Sequence, residues 1–139
     1  MPQYQFSVVT EPAFLGEQSS PRQALFRFSY TITITNTGEG AAQLIARHWW
    51  ITDARGHCEQ VQGLGVVGQQ PLLQPGASFQ YTSGCQLRTP TGSMRGHYFF
   101  VAEDGDRFEV EIPLFVLDAS APHTLGLGPD DSHGPRVLH

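Results

Sequence analysis

Phe26-Arg27-Phe28-Ser29-Tyr30-Thr31-Ile32-Thr33-Ile34-Thr35 alternates between apolar and polar side chains along its whole length. A period of two marks a half-buried strand, with one face in a core and one in water. The run stops at Asn36-Thr37-Gly38-Glu39-Gly40, which has the composition of a turn. A second alternation sets Phe108, Val110, Ile112, Leu114 and Val116 against Arg107, Glu109 and Glu111, and Pro113 inside it signals an edge strand or a bulge. Between the two lie Gln43 to Asp53, Ala77 to Ser83 and Met94 to Glu103, all rich in β-branched or aromatic residues. Tyr4 to Thr10 adds a strand near the start, with a break expected at Pro12. Glu103-Asp104-Gly105-Asp106 reads as a tight hairpin connection. No segment carries a helical stripe, so about seven antiparallel strands in a β-sandwich are expected.

The chain has 139 residues, enough for one core and one domain. That domain is expected over residues 1–118. Residues 119–139 carry Pro122, Gly126, Gly128, Pro129, Gly134 and Pro135 without any period, and read as a flexible tail. The longest apolar stretch, Ile112 to Leu117, is far too short to cross a membrane. Met1-Pro2-Gln3-Tyr4-Gln5 has neither a basic nor an apolar leader segment, and Cys58 and Cys85 are too few for a disulfide scaffold. A cytoplasmic protein is expected.

Charge and composition remove several functions. All eight basic residues are arginines, so Schiff-base, phosphate-loop and general-base lysines are absent. A net charge of −5 opposes strong nucleic-acid binding. Neither G-x-S-x-G nor H-E-x-x-H occurs, and no catalytic constellation stands out. A non-enzymatic chain without cofactor is the expectation.

The hairpin after Gln43 holds the candidate binding residues. With a short turn at Asp53-Ala54-Arg55-Gly56, Thr52 falls opposite His57 and Trp50 opposite Glu59. Directly opposed residues share a face. This register predicts an outward stripe of His48, Trp50, Thr52, His57 and Glu59, and an inward set of Ile45, Trp49, Ile51 and Cys58. His48, Trp50 and His57 are the candidate partner-binding residues, because large aromatics anchor interfaces. His48, His57 and Glu59 form the candidate set for a divalent metal. Gly63, Gly65 and Gly68 have G-x-G-x-x-G spacing, but Gln69, Gln70 and Pro71 follow where a dinucleotide fold needs a helix. Their backbone N–H groups are a candidate anion nest for phosphate or a nucleotide.

Several of these segments also resemble the ApaG family. Arg47-His48-Trp49-Trp50-Ile51-Thr52-Asp53, Gly63-Leu64-Gly65-Val66-Val67-Gly68-Gln69-Gln70-Pro71, Leu73-Gln74-Pro75-Gly76 and Phe79-Gln80-Tyr81-Thr82-Ser83-Gly84-Cys85 follow in that family's order. Phe108-Glu109-Val110-Glu111-Ile112-Pro113 closes the likeness, which spans roughly residues 4–118. One departure is Leu64, which stands where the family's glycine motif usually has glutamate. The resemblance implies an immunoglobulin-like or fibronectin-type-III-like sandwich with no securely assigned enzymatic activity. It further implies an association with cobalt resistance and magnesium efflux in bacteria. Related eukaryotic domains occur in F-box adaptors and in a protein that interacts with DNA polymerase delta. The functional expectation is therefore a protein-binding or adaptor module, with direct metal binding or weak phosphate binding as alternatives. Open sheet edges would also suit self-association.

Overall fold

The structure, a computed structural model, describes residues 3–120 and is an all-β sandwich of two antiparallel sheets. Its strands are β1 (Phe6–Phe14), β2 (Phe26–Asn36), β3 (Ala42–Asp53), β4 (Cys58–Leu64), β5 (Leu72–Leu73), β6 (Ser78–Leu87), β7 (Thr91–Ala102) and β8 (Arg107–Asp118). The small sheet runs β1-β2-β6, and the large one β4-β3-β7-β8 with β5 also paired to β3. The eighth strand beyond the expected seven is the two-residue β5. No helix is long and apolar enough to cross a membrane among the described residues. The expected tail falls mostly on residues 121–139, which lie outside the described residues.

The opening alternation forms β2, the centre of the small sheet, with Phe28, Tyr30, Ile32 and Ile34 buried. They pack against Leu44, Trp49, Tyr98, Phe100, Ile112 and Leu117 of the large sheet. Trp49 sits between Tyr30 and Phe115, with ring centroids 5.3 and 6.0 Å away. The alternative phase for β7, with Phe99 and Val101 inward, is not adopted. Asn36 ends β2 by donating to the carbonyls of Gly40 and Leu73 and accepting from the N–H of Gly38.

Four local expectations are corrected. Pro12 does not break β1, because it lies opposite Tyr30 in an edge strand. Thr37 and Leu15 bond across the β1–β2 ladder to Gln5 and Arg27, so odd positions of β1 face β2. Pro12 is even, and its missing N–H points to the unpaired side.

The second correction lies in β8. Leu114 and Val116 are each 58% exposed, whereas Phe115 and Leu117 are buried. The register with β7 shifts between Met94–Phe115 and Gly96–Ile112, placing both Pro113 and Leu114 opposite Arg95. One extra residue in a strand reverses every later side chain.

The third concerns the β3–β4 hairpin. Thr52 pairs with Cys58, Trp50 with Gln60 and His48 with Gln62. Asp53 and His57 close a three-residue loop, Ala54–Gly56, in which Gly56 is left-handed at φ 88. A loop of this kind adds one residue to the two-residue turn the sequence suggests. His57 and Glu59 therefore fall on the other face from Trp50, and Cys58 is exposed on Trp50's face instead of buried. Finally, Ile45 is not a regular inward residue: the β3–β7 register shifts between Leu44 and Ala46, so it is a bulge.

Trp49→Ala should lower unfolding free energy in urea by about 3–5 kcal/mol through the cavity it opens. Gly96→Ala should also destabilise, since its Cβ would collide with the backbone carbonyl of His48. Burial pushes the Tyr30 phenol from 10.0 to about 12 and the Cys85 thiol from 9.0 to about 12. The folded state thus holds these protons more tightly than the unfolded chain. Their stabilisation is complete below about pH 9 and is lost as pH rises through about 12. Calorimetric Tm should be level up to that lower bound and fall steadily above it; a level Tm throughout would refute the burial.

Candidate outer-face site

The bulge at Ile45 divides β3 into two phases. Before it, Ala42 and Leu44 point inward; after it, Arg47, Trp49 and Ile51 do, and Ala46, His48, Trp50 and Thr52 face out. Matching outward positions come from the neighbours by register. Leu64, Ala46, Phe99 and Glu109 form one row across the large sheet; Gln62, His48, His97 and Glu111 form the next. Gln60, Trp50 and Arg95 form a third, and Cys58, Thr52, Ser93 and Val116 a fourth.

At the centre, His48 stacks on Trp50 with ring centroids 3.8 Å apart and planes at 19°. Arg95 places its guanidinium 4.6 Å from the Trp50 ring centroid, where the π face attracts a cation. His97 stands edge-on to His48 at 5.4 Å, and its Nε2 lies 3.4 Å from a carboxylate oxygen of Glu109. His48 Nε2 is 2.9 Å from Gln60 Oε1, so the ring donates there, and Gln62 Nε2 lies 3.4 Å from the same nitrogen. Beside this group a cleft of about 340 Å³ is lined by Ala46, His48, Gln62, Leu64, His97 and Phe99 among others. Its walls differ: one is apolar and the other carries imidazole and amide groups. This surface can stack, accept and donate hydrogen bonds, and bury apolar side chains.

The sequence candidates separate on this map. His48 and Trp50 are together, while His57 lines a different cleft of about 500 Å³ with Ile51, Asp53, Arg55, Glu59 and Arg88. Hence His48, His57 and Glu59 do not converge, and among the described residues no group of three metal-ligating side chains is found. The residues missed by sequence reading are Gln60, Gln62, Arg95, His97 and Phe99. For Gln60 and Gln62 the signal was the hairpin register, and for Arg95, His97 and Phe99 it was the outward phase of β7, legible only once the pairing with β3 is known.

The glycine motif has a mechanical role. Gly65 N–H donates to the Ile45 carbonyl at 2.7 Å, and Gln70 Nε2 donates to the same oxygen at 2.9 Å. Val66 and Gln69 exchange backbone hydrogen bonds around a turn with Val67 at φ 44 and Gly68 at φ 80. A left-handed valine is strained, and the closed turn holds it there. Arg47 runs beneath β4 across Gly63, where a Cβ would lie 2.9 Å from the guanidinium. Its Nη1 donates to the carbonyls of Leu64 and Gly65. The N–H groups of Gly65 and Val66 are therefore already donated inside the protein.

Known proteins share this arrangement of sequence and fold. The family model described as the ApaG domain matches residues 16–102. Protein ApaG of Acidovorax sp. (strain JS42) is 59% identical, with all of both chains covered. Protein ApaG of Ralstonia nicotianae is 57% identical over 84% of this chain and 94% of its own. Their names state no enzymatic activity. A crystal structure of the ApaA protein from Bordetella pertussis superposes with a TM-score of 0.83 at 52% identity, covering 86% of this chain and 97% of that one. By family model, sequence identity and fold together, the chain belongs to the ApaG family.

Proposed function

We propose that the chain is a non-enzymatic binding module that holds a protein partner on the outer face of its large sheet. The observation that carries this reading is the composition of that face. Trp50, half-buried, stacks on His48 and lies beneath Arg95, and Leu64 stands 74% exposed at the rim of the adjoining cleft. Leu114 and Val116 are exposed on β8, at the far side of the same face. Tryptophan and arginine are the residue types that dominate interface energetics. The cobalt and magnesium association implied by family resemblance would then act through the partner. Direct metal binding through His48, His57 and Glu59 has less support, because the hairpin register sets the last two on the opposite face. Phosphate binding by Gly63, Gly65 and Gly68 likewise has less support, since internal acceptors take the N–H groups of Gly65 and Val66.

The test is affinity capture from a lysate of the producing cell, followed by calorimetry with the captured protein. Trp50→Ala should weaken binding about 30-fold or more, equivalent to about 2 kcal/mol. It should cost less folding stability than Trp49→Ala. Val9→Ala, at an exposed position on the small sheet, should bind as wild type does. Equal affinity of Trp50→Ala and Val9→Ala would overturn the reading. So would stoichiometric cobalt uptake, in dialysis without partner, that His48→Ala with His97→Ala abolishes.

A further inference from the structure

The hydrogen-bonding parity of β4 leaves a short, self-matching edge. Asp53 N–H donates to the His57 carbonyl, and Gly65 N–H donates to that of Ile45. In an antiparallel ladder such bonded pairs recur at every second residue. Odd positions of β4 therefore bond to β3, while Cys58, Gln60, Gln62 and Leu64 direct their N–H and C=O groups to the outer side. Among the described residues no strand pairs with that side. The Leu64 carbonyl already accepts from Arg47. Three residues remain open, and they are symmetric about Gln60.

Two other edges carry proline. β1 points Pro12 to its free side, and β8 carries Pro113 and a bulge. β6 is a further open edge, on the small sheet, and only its end, at Gln86 and Leu87, lines the 500 Å³ cleft. β4 has no proline, no bulge and one charge, Glu59. Natural sheets seldom leave such an edge unpaired.

We propose that β4 pairs antiparallel with β4 of a second copy of this chain, about a two-fold axis through Gln60. In that register Gln60 meets Gln60 and Cys58 meets Gln62 of the second copy, so every open N–H finds a carbonyl. Glu59 meets Val61, and no like charges are opposed. Moving the register one step toward the C-terminus brings Cys58 opposite Leu64, whose carbonyl Arg47 occupies. Moving it the other way brings Gln62 opposite Gly56 in the hairpin loop. The open groups and these two stops favour a second copy over an arbitrary extended peptide. The axis stands perpendicular to the sheet, so both Trp50 faces lie on one side of a continuous surface. This inference uses an edge, and it stands independently of the face reading above.

Light scattering of the full chain should give twice 15.3 kDa at high micromolar concentration. Gln60→Pro removes an N–H that faces the second copy and none that faces β3. It should give a monomer with an unchanged strand signal in circular dichroism. Directly opposed bonded residues have Cα atoms about 5.5 Å apart, within disulfide reach. Gln62→Cys should therefore cross-link through native Cys58 under mild oxidation, while Leu64→Cys should not. The cross-linking arm decides the question even if the proline variant fails to fold. A monomeric wild type, a dimer that survives Gln60→Pro, or equal cross-linking by both cysteine variants would overturn the proposal. If the wild type is monomeric yet loses a partner with Trp50→Ala, the edge proposal fails and the face reading stands.

Discussion

Ile45 is one residue more than the ladder between β3 and β7 can pair, and the architecture of the large sheet follows from it. Continued from Leu44 without interruption, the alternation would carry His48 and Trp50 into the core and expel Trp49. The bulge reverses this, so Trp49 meets Tyr30 and Phe115 while Trp50 is delivered to the outer face. A bulge left unpaired would strand a carbonyl. Here the Ile45 oxygen receives both Gly65 N–H and Gln70 Nε2.

That pairing gives the glycine motif a physical explanation without a ligand. Gly65 must be glycine because a Cβ would strike the Gln69 carbonyl, and its φ of 65 lies in the left-handed region. Gly63 must be small for a different reason, since Arg47 crosses it to reach the loop carbonyls. The same guanidinium opposes the upward shift that burial imposes on the Tyr30, Tyr81 and Tyr98 phenols, two of which bond to each other. Arg47 thus ties the glycine loop to β3 by hydrogen bonds and acts on the buried hydroxyls through its charge.

The sequence was most legible where alternation ran without interruption. β2, the Glu103–Asp106 connection and the inward position of Trp49 could all be read from it, because a period of two leaves one consistent phase. It was least legible where a single residue is inserted. The bulges at Ile45 and at Pro113–Leu114, and the third loop residue at Gly56, each reverse a face without changing composition. Pro113 signalled a bulge, yet it could not say on which side the count would slip. For the candidate site the consequence was specific. His48 and Trp50 were found from their own strand, whereas His57 was misplaced by the hairpin, and Arg95 and His97 were hidden in an ambiguous phase of β7.

The adjacent tryptophans also occupy two different optical environments. Trp49 is enclosed by Tyr30 and Phe115, so it is shielded from solvent quenchers and collects excitation energy from a nearby phenol. Trp50 is half-buried on the outer face and touches an imidazole and a guanidinium, both polar groups that perturb its excited state. The two indoles therefore sample different surroundings, one the closed interior and one the outer face. Neighbours in sequence, they place one indole on each side of a single strand, so a change on either side of the sheet falls next to one of them.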